Sequence, residues 1–348
     1  MRDGHPESRL SERQQQVLRA LVRAYVASAE PVSSATVSYL LPVALSTASI
    51  RNTMAELAEQ GLIRKPHASA GRIPTASGMR VFVDELLGPA ELAAYERRSL
   101  DYSFEVTGSD VAVEVASKML SDYSHQLGFV LPPRVSRMVL RHVSLVRLST
   151  ERLLVVLVTQ NGQAHRIVLD DTGASDQREL EAIAQALNER IAGRTLVAVR
   201  DGFRRELRQL QEHADRVVAR AVTLGLKMLE RRFDEPEGIV VASRLALLDQ
   251  PESSDPDYLR EVFSAIETQE RLVELLDTLL DTDGVSVALG DDLAEPGLPH
   301  SGLVVAPYGA DSSHLGVLGV LGPQRMDYGH IIPLVRYCSR LLTGKLAT

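Results

Sequence analysis

Apolar positions near the N-terminus recur at helical spacing. Val17, Leu18, Leu21, Val22 and Tyr25 fall on one face, which predicts a helix with one buried side. Ser11 and Gln14 form an S-x-x-Q capping box at its start, satisfying two free N–H groups. Glu30-Pro31 stops it. Pro31-Val32-Ser33-Ser34 opens a short second helix that ends near Leu41-Pro42. A third helix is predicted over 46–60, with Ser46 as N-cap, Ile50, Met54 and Leu57 on the inner side, and Gly61 at the left-handed C′ position. Leu62 to Lys65 and Ile73 to Thr75 read as short strands on either side of a small-residue loop, followed by a helix over 76–87 capped by Thr75.

Beyond Gly88-Pro89 the pattern changes. Residues 89–109 mix charge with Gly and Ser and read as a linker. A helix is expected from Asp110 to Gln126, with Val113, Ala116, Met119-Leu120 and Tyr123 inward. Residues 137–170 look like a β-meander. Its Leu153–Val158 run is expected to be fully buried, and Asn161-Gly162 is a hairpin turn signal. Asp176 to Ile191 is a helix over that sheet, using Leu180, Ile183, Ala184 and Leu187.

Residues 203–232 form an amphipathic helical stretch that Gly225 could interrupt and 234–238 breaks. Its stripe includes Leu207, Leu210, Val217-Val218, Ala221, Leu224 and Met228-Leu229. Ile239 to Ala242 could form a short strand, 251–256 a loop, and 257–280 a second helix. Strand patterns return at 285–289, 303–306 and 316–321, before a last helix over about 328–342. Strands on both sides of a helical segment argue that 205–262 is inserted into one α+β domain.

Length and composition narrow the class. A chain of 348 residues predicts two or three domains. The hydrophobic fraction of 45% and charged fraction of 24% exclude a wholly disordered chain. Aromatics are 4% and Trp is absent, so the core is aliphatic. No apolar run approaches the roughly 18 residues of a membrane helix. Met1 to Leu10 is polar, without the apolar region of a secretory signal. The expected location is the cytoplasm. The lone Cys338 excludes an internal disulfide and any Cys-rich metal site.

Charge is unevenly placed. The whole chain carries −8, yet residues 13–80 hold eight Arg or Lys against three acids, a net +5. A basic head on an acidic body suits a head that meets a polyanion, although ordinary charge scatter gives the same arithmetic. The outward side of the third helix carries Ala48, Ser49, Arg51, Asn52 and Ala55. Small residues permit close approach to a groove. Asn pairs bidentately with adenine, and Arg with guanine or phosphate. The helices alone fit either a helix-turn-helix or a three-helix bundle with a solvated face. The loop from His67 to Arg72 adds weight to the former. Gly71 permits a turn and a close backbone approach to phosphate, and Arg72 suits phosphate or the minor groove. The candidate DNA-contacting residues are Ser46, Thr47, Ala48, Ser49, Arg51, Asn52, His67, Ser69, Gly71 and Arg72.

These segments resemble the heat-inducible transcription repressor HrcA family. The resemblance rests on Ser46 to Met54, Leu57, Gly61-Leu62-Ile63, His67 to Thr75, Gly78, Arg80 and Val83-Asp84. It continues in Gly319 to Tyr328 with Leu334-Val335, and more weakly in Pro31 to Ser34 and Leu247 to Glu252. The chain departs from the family pattern at Ser33, Ser34, Ala35 and Met79, and over 285–295.

The resemblance implies an α+β multidomain protein. An N-terminal winged helix-turn-helix would span 1–88, followed by a linker over 89–109. A GAF-like α+β domain would span 110–204 and 263–348, with a mainly helical dimerisation domain inserted at 205–262. It further implies a homodimer that represses chaperone genes at a double-stranded inverted-repeat operator (CIRCE), with the chaperonin GroEL as partner.

No catalytic constellation stands out, and no cofactor or metal is expected. Gly316 to Gly322 is not G-x-G-x-x-G and reads as a packed strand. Asp170-Asp171 and Asp291-Asp292 read as solvated loop ends, and His300 and His314 as surface residues. Cys338 reads as a buried hydrophobe, and Arg325 as tying a loop to the sheet. An alternative keeps the same head but switches it by a small ligand in the GAF-like body. An enzyme using the head for targeting is the third possibility.

Overall fold

A computed structural model describes residues 10–42, 45–108, 111–132, 139–160, 164–171, 176–209, 216–230, 238–243, 245–268, 270–280, 284–294, 297–310 and 313–347. Helix α1 spans Glu12–Ser28, and the Ser11/Gln14 capping box is formed. It ends at Ser28, two residues before Glu30, because Ala29 takes the left-handed conformation (φ 58°). Helices α2 (Ser34–Leu40) and α3 (Thr47–Glu59) follow, capped by Ser33 and Ser46. Val17, Leu18, Leu21, Val22, Val37, Ile50, Met54 and Leu57 are buried together as the aliphatic centre of the head. Each such burial contributes about 1.5–3 kcal/mol. Strands β1 (Ile63–Arg64) and β2 (Ile73–Pro74) pair antiparallel. Helix α4 (Ala76–Val81), capped by Thr75, runs into a π-helical turn at Phe82–Leu86.

The segment expected to be a linker contains helix α5 (Ala94–Glu105), with Leu100 and Phe104 buried. Of the charges that suggested a connector, Arg98, Asp101 and Glu105 are exposed and Glu96 is buried. Helix α6 (Ala112–Ser124) buries Ala112, Ala116, Ser117, Leu120 and Ser121. Ala116 and Leu120 are inward as expected, whereas Val113, Met119 and Tyr123 are half-buried and the face is rotated towards Ala112, Ser117, Ser121 and Ser124. Strand β3 (Leu127–Leu131), fully buried, was not foreseen. Five residues without alternation carry little strand signal.

Contacts divide the chain into two compact units. The first comprises Met1–Val130, Ile239–Pro307 and Leu318–Leu342. The second comprises Leu131–Gly238, Tyr308–Val317 and Thr343–Thr348.

In the first unit, helices α10 (Pro256–Thr268) and α11 (Glu270–Leu280) replace the single helix expected over 257–280. The expected loop before them holds a 3-10 turn at Pro251–Ser254. Strands β7 (Ser286–Leu289), β8 (Ser301–Ala310) and β9 (Ser313–Pro323) join β3 in a sheet of order β3-β9-β8-β7, of which Leu131 and Tyr308–Val317 are counted with the second unit. Helix α12 (Tyr328–Ala347) closes the chain and buries Leu334, Val335, Cys338 and Leu342. The glycines of Gly316 to Gly322 lie within β9, in agreement with the strand pattern of the sequence.

In the second unit, β4 (Leu140–Arg147), β5 (Arg152–Thr159) and β6 (Ala164–Asp170) form the expected antiparallel meander. Burial along β5 alternates, with Leu153, Val155 and Leu157 inward. The run is thus half-buried rather than fully buried. Helix α7 (Gln177–Ile191), capped by Asp176, covers the sheet. Its Asn188 side chain accepts from Val143 N at 2.7 Å and donates to Val143 O at 3.0 Å.

Helices α8 (Leu196–Gln209) and α9 (Arg216–Glu230) share one core with β4–β6 and α7. Gly225 does not interrupt α9. A Cβ there would collide with the Phe203 ring, so the glycine is a packing notch. Asp171 is not a solvated loop end. It is 2% exposed and paired with Arg147 at 3.0 Å and with Arg220. The Asn161-Gly162 turn, Asp110, Leu210, the 234–237 break, and the side chains of Leu207, Val217, Val218, Met228, Leu229 and His314 lie outside the described residues.

Candidate nucleic-acid interface

The surface begins with the cap of α3. Ser46 Oγ accepts from Ser49 N at 3.1 Å, which satisfies one N–H of the first turn, and the helix start carries the partial positive charge of the dipole. Thr53 is buried and turns its hydroxyl back to Ser49 O at 3.1 Å. The 3.6-residue period then separates the faces: Ile50, Thr53, Met54 and Leu57 are buried, while Ser46, Thr47, Ala48, Arg51 and Asn52 are exposed and Ser49 is half-buried. Arg51 Nε donates to Ser34 Oγ of α2 at 3.3 Å. The guanidinium therefore spans the two helices.

The loop between β1 and β2 supplies the second part. His67 and Ser69 are exposed, and Ala70 N donates to His67 O at 3.1 Å to close a turn. Lys65 Nζ reaches Ala68 O at 3.5 Å. Arg72 is half-buried and its main chain is clamped to Val32, with Val32 N donating to Arg72 O at 2.8 Å and Arg72 N to Val32 O at 2.9 Å. Gly71 has an internal reason to be glycine: a Cβ would lie 2.5 Å from Val32 O and 2.8 Å from the Pro31 carbonyl carbon. The clamp brings the loop's basic end beside the entrance to α2.

One residue of this region escaped the sequence reading. Tyr39 of α2 is 90% exposed while Val37 is fully buried. Two positions of separation on a helix put the two on different faces, which was the available signal. Elsewhere, Cys338 is buried, and burial pushes its thiol up to about 12. His300 is exposed and lies 3.2 Å from Glu261.

Residues 110–332 match the HrcA protein C-terminal domain. The chain is 36% identical over 334 residues to the heat-inducible transcription repressor HrcA of Xanthomonas campestris pv. campestris, covering 96% of this chain and 95% of that one. It is 34% identical over 339 residues to the same repressor of Geobacter sulfurreducens, covering 97% and 98%. Its fold is similar to a crystal structure of a hypothetical protein, with a TM-score of 0.61 and 22% identity over 97% of this chain and 99% of that one. The chain belongs to the HrcA family of heat-inducible transcription repressors, which is a family of regulators and not of enzymes.

Proposed function

We propose that this repressor binds a double-stranded inverted-repeat operator of the CIRCE type as a homodimer, in the cytoplasm, with its activity modulated by GroEL. Residues 1–88 are a winged helix-turn-helix in this reading. Helix α3 is the recognition helix and the His67–Arg72 loop is the wing. Ser46, Thr47, Ala48, Ser49, Arg51 and Asn52 face the bases and adjacent phosphates. His67, Ser69, Gly71 and Arg72 meet backbone or minor groove.

The observation that carries this is the division of α3. One side is fully buried, while the first turns leave Arg51 and Asn52 exposed at a capped helix start. Residues 89–109 connect the head to a GAF-like body over 110–204 and 263–348, with a helical dimerising insertion at 205–262. The core shared by β4–β6 and α7–α9 supports drawing the inserted part over about 131–238 instead, which returns 239–262 to the body.

The test is fluorescence anisotropy of a labelled inverted-repeat chaperone operator against a scrambled duplex at near-physiological salt. The expected preference is about a thousandfold or more. Equal weak binding to both duplexes, with GroEL absent and with GroEL added, overturns the reading.

The ligand-switched alternative has one observation in its favour. A cleft of about 1010 Å³ in the first unit is lined by residues including Glu252, Tyr258, Glu261, Arg271 and His300, a volume within reach of small-molecule sites. Thermal stabilisation by a metabolite, with a matching change in operator affinity, is the result that selects it.

A further inference from the structure

Two segments singled out in the sequence are not used by the proposed DNA surface: Leu247 to Glu252, and Gly319 to Tyr328. Within the first unit they meet. Arg325 pairs with Glu252 through Nε and through Nη2 at 2.8 Å, and its Nη2 also donates to Gln250 Oε1 at 3.2 Å. Its Nη1 donates to Val26 O of α1 at 3.2 Å, a bond across 299 positions of chain. The Arg325 side chain is only 11% exposed. Burial and the Glu252 carboxylate push the neighbouring Tyr25 phenol up, which places α1 beside this cluster.

Further contacts fix the same head. Arg80 of α4 donates to Val287 O at 2.8 Å and pairs with Asp292. Gly290, at φ 56°, lies so close to Ala76 that a Cβ would come within 2.8 Å of the Ala76 Cβ. The connecting helix α5 is also held, by Glu96 to His330 at 2.8 Å and by Tyr337 to Asp101 at 2.6 Å.

We infer that Arg325 is a positioning residue for DNA binding: held by Glu252 and Gln250, it clasps α1 onto the body and sets the direction in which α3 is presented. A dimer that grips two half-sites needs each head at a set angle and separation, because half-site spacing mirrors protein geometry. A guanidinium suits the task. Its planar fork bonds a carboxylate on one edge and keeps an N–H for a carbonyl, which a lysine ammonium does not reproduce. This inference rests on the DNA-binding reading, and its test separates the two.

Full-length wild type, Arg325→Gln, Glu252→Gln and Arg325→Lys are compared in two assays. In the first, spin labels at Ser69→Cys and Glu267→Cys, in labelled chain diluted with unlabelled chain, report the head-to-body distance by pulsed electron resonance. Wild type is expected to give one narrow distribution, Arg325→Gln and Glu252→Gln a broad one, and Arg325→Lys an intermediate. In the second, anisotropy is measured on single half-sites and on operators with spacers lengthened or shortened by one or two base pairs. Arg325→Gln is expected to lose about tenfold or more on the native spacing, to keep its half-site affinity, and to flatten the spacer profile.

A role confined to stability lowers half-site and full-operator binding together with the melting temperature, and leaves the spacer profile unchanged in the folded fraction. That result overturns the proposal. So does a narrow distance distribution in a folded Arg325→Gln protein, or a gain in affinity for the native operator. If wild type shows no operator preference, the DNA-binding reading falls, and the distance assay still decides whether the clasp exists.

Discussion

Asn52 and Arg51 share a helix face yet do different work in the proposed interface. Asn52 is exposed and available for an adenine edge, whereas Arg51 is already bonded to Ser34. Asn52→Ala and Arg51→Ala are each expected to cost about 1–3 kcal/mol of operator binding and to relax base preference. Arg72, clamped through its main chain to Val32, presents a charge from a fixed base. Arg72→Ala is expected to weaken binding to all duplexes alike and to lower the salt slope, read from affinities at several ionic strengths.

Gly71 tests the clamp itself. A methyl group there meets the Val32 carbonyl, so Gly71→Ala is expected to destabilise the head by about 1–3 kcal/mol, seen as a lower melting temperature. Cys338 reports on folding. Its buried thiol, raised from 9.0 to about 12, should resist thiol reagents until the chain unfolds. The unfolded thiol ionises first. Its contribution to stability is therefore fully present below about pH 9 and is lost as pH rises from there towards 12.

The elements of the head were legible because local signals agreed with one another. Ser11, Ser33, Ser46 and Thr75 each cap a helix, and each hydroxyl sits three residues before the N–H it accepts from. Ser46→Ala is expected to cost about 0.5–2 kcal/mol of stability, and to fray the first turn of α3. Chemical denaturation and amide exchange over 47–50 check it. Elements of the body were less legible. The buried face of α6 is periodic but built largely of Ala and Ser, which give little apolar signal, and β3 is an unbroken apolar run without alternation. The helix α5 was hidden because its exposed side is dense in charge and tyrosine: Tyr95 and Tyr102 remain exposed on it.

At the scale of the molecule, heat induction requires that operator binding be lost on warming, and in the proposed reading it is lost because the folded repressor opens. The large aliphatic cores of the two units become accessible if either opens. Warming through heat-shock temperatures is expected to raise the fluorescence of an apolar-surface dye and the light scattering in step with loss of operator binding, with GroEL suppressing the scattering. Flat dye and scattering signals while binding disappears would contradict this account.

By itself the sequence determined the order of elements in the head, its aliphatic core, the meander with its covering helix, and the family, since these depend on residues near one another in the chain. Only the tertiary structure decided what distant residues do. It set Arg325 against Glu252 and Val26, Arg80 against Asp292, and buried Asp171 between Arg147 and Arg220. The physical reason is separation along the chain: periodicity and caps report where a side chain lies on its own element, while an ion pair forms only after packing brings two elements together.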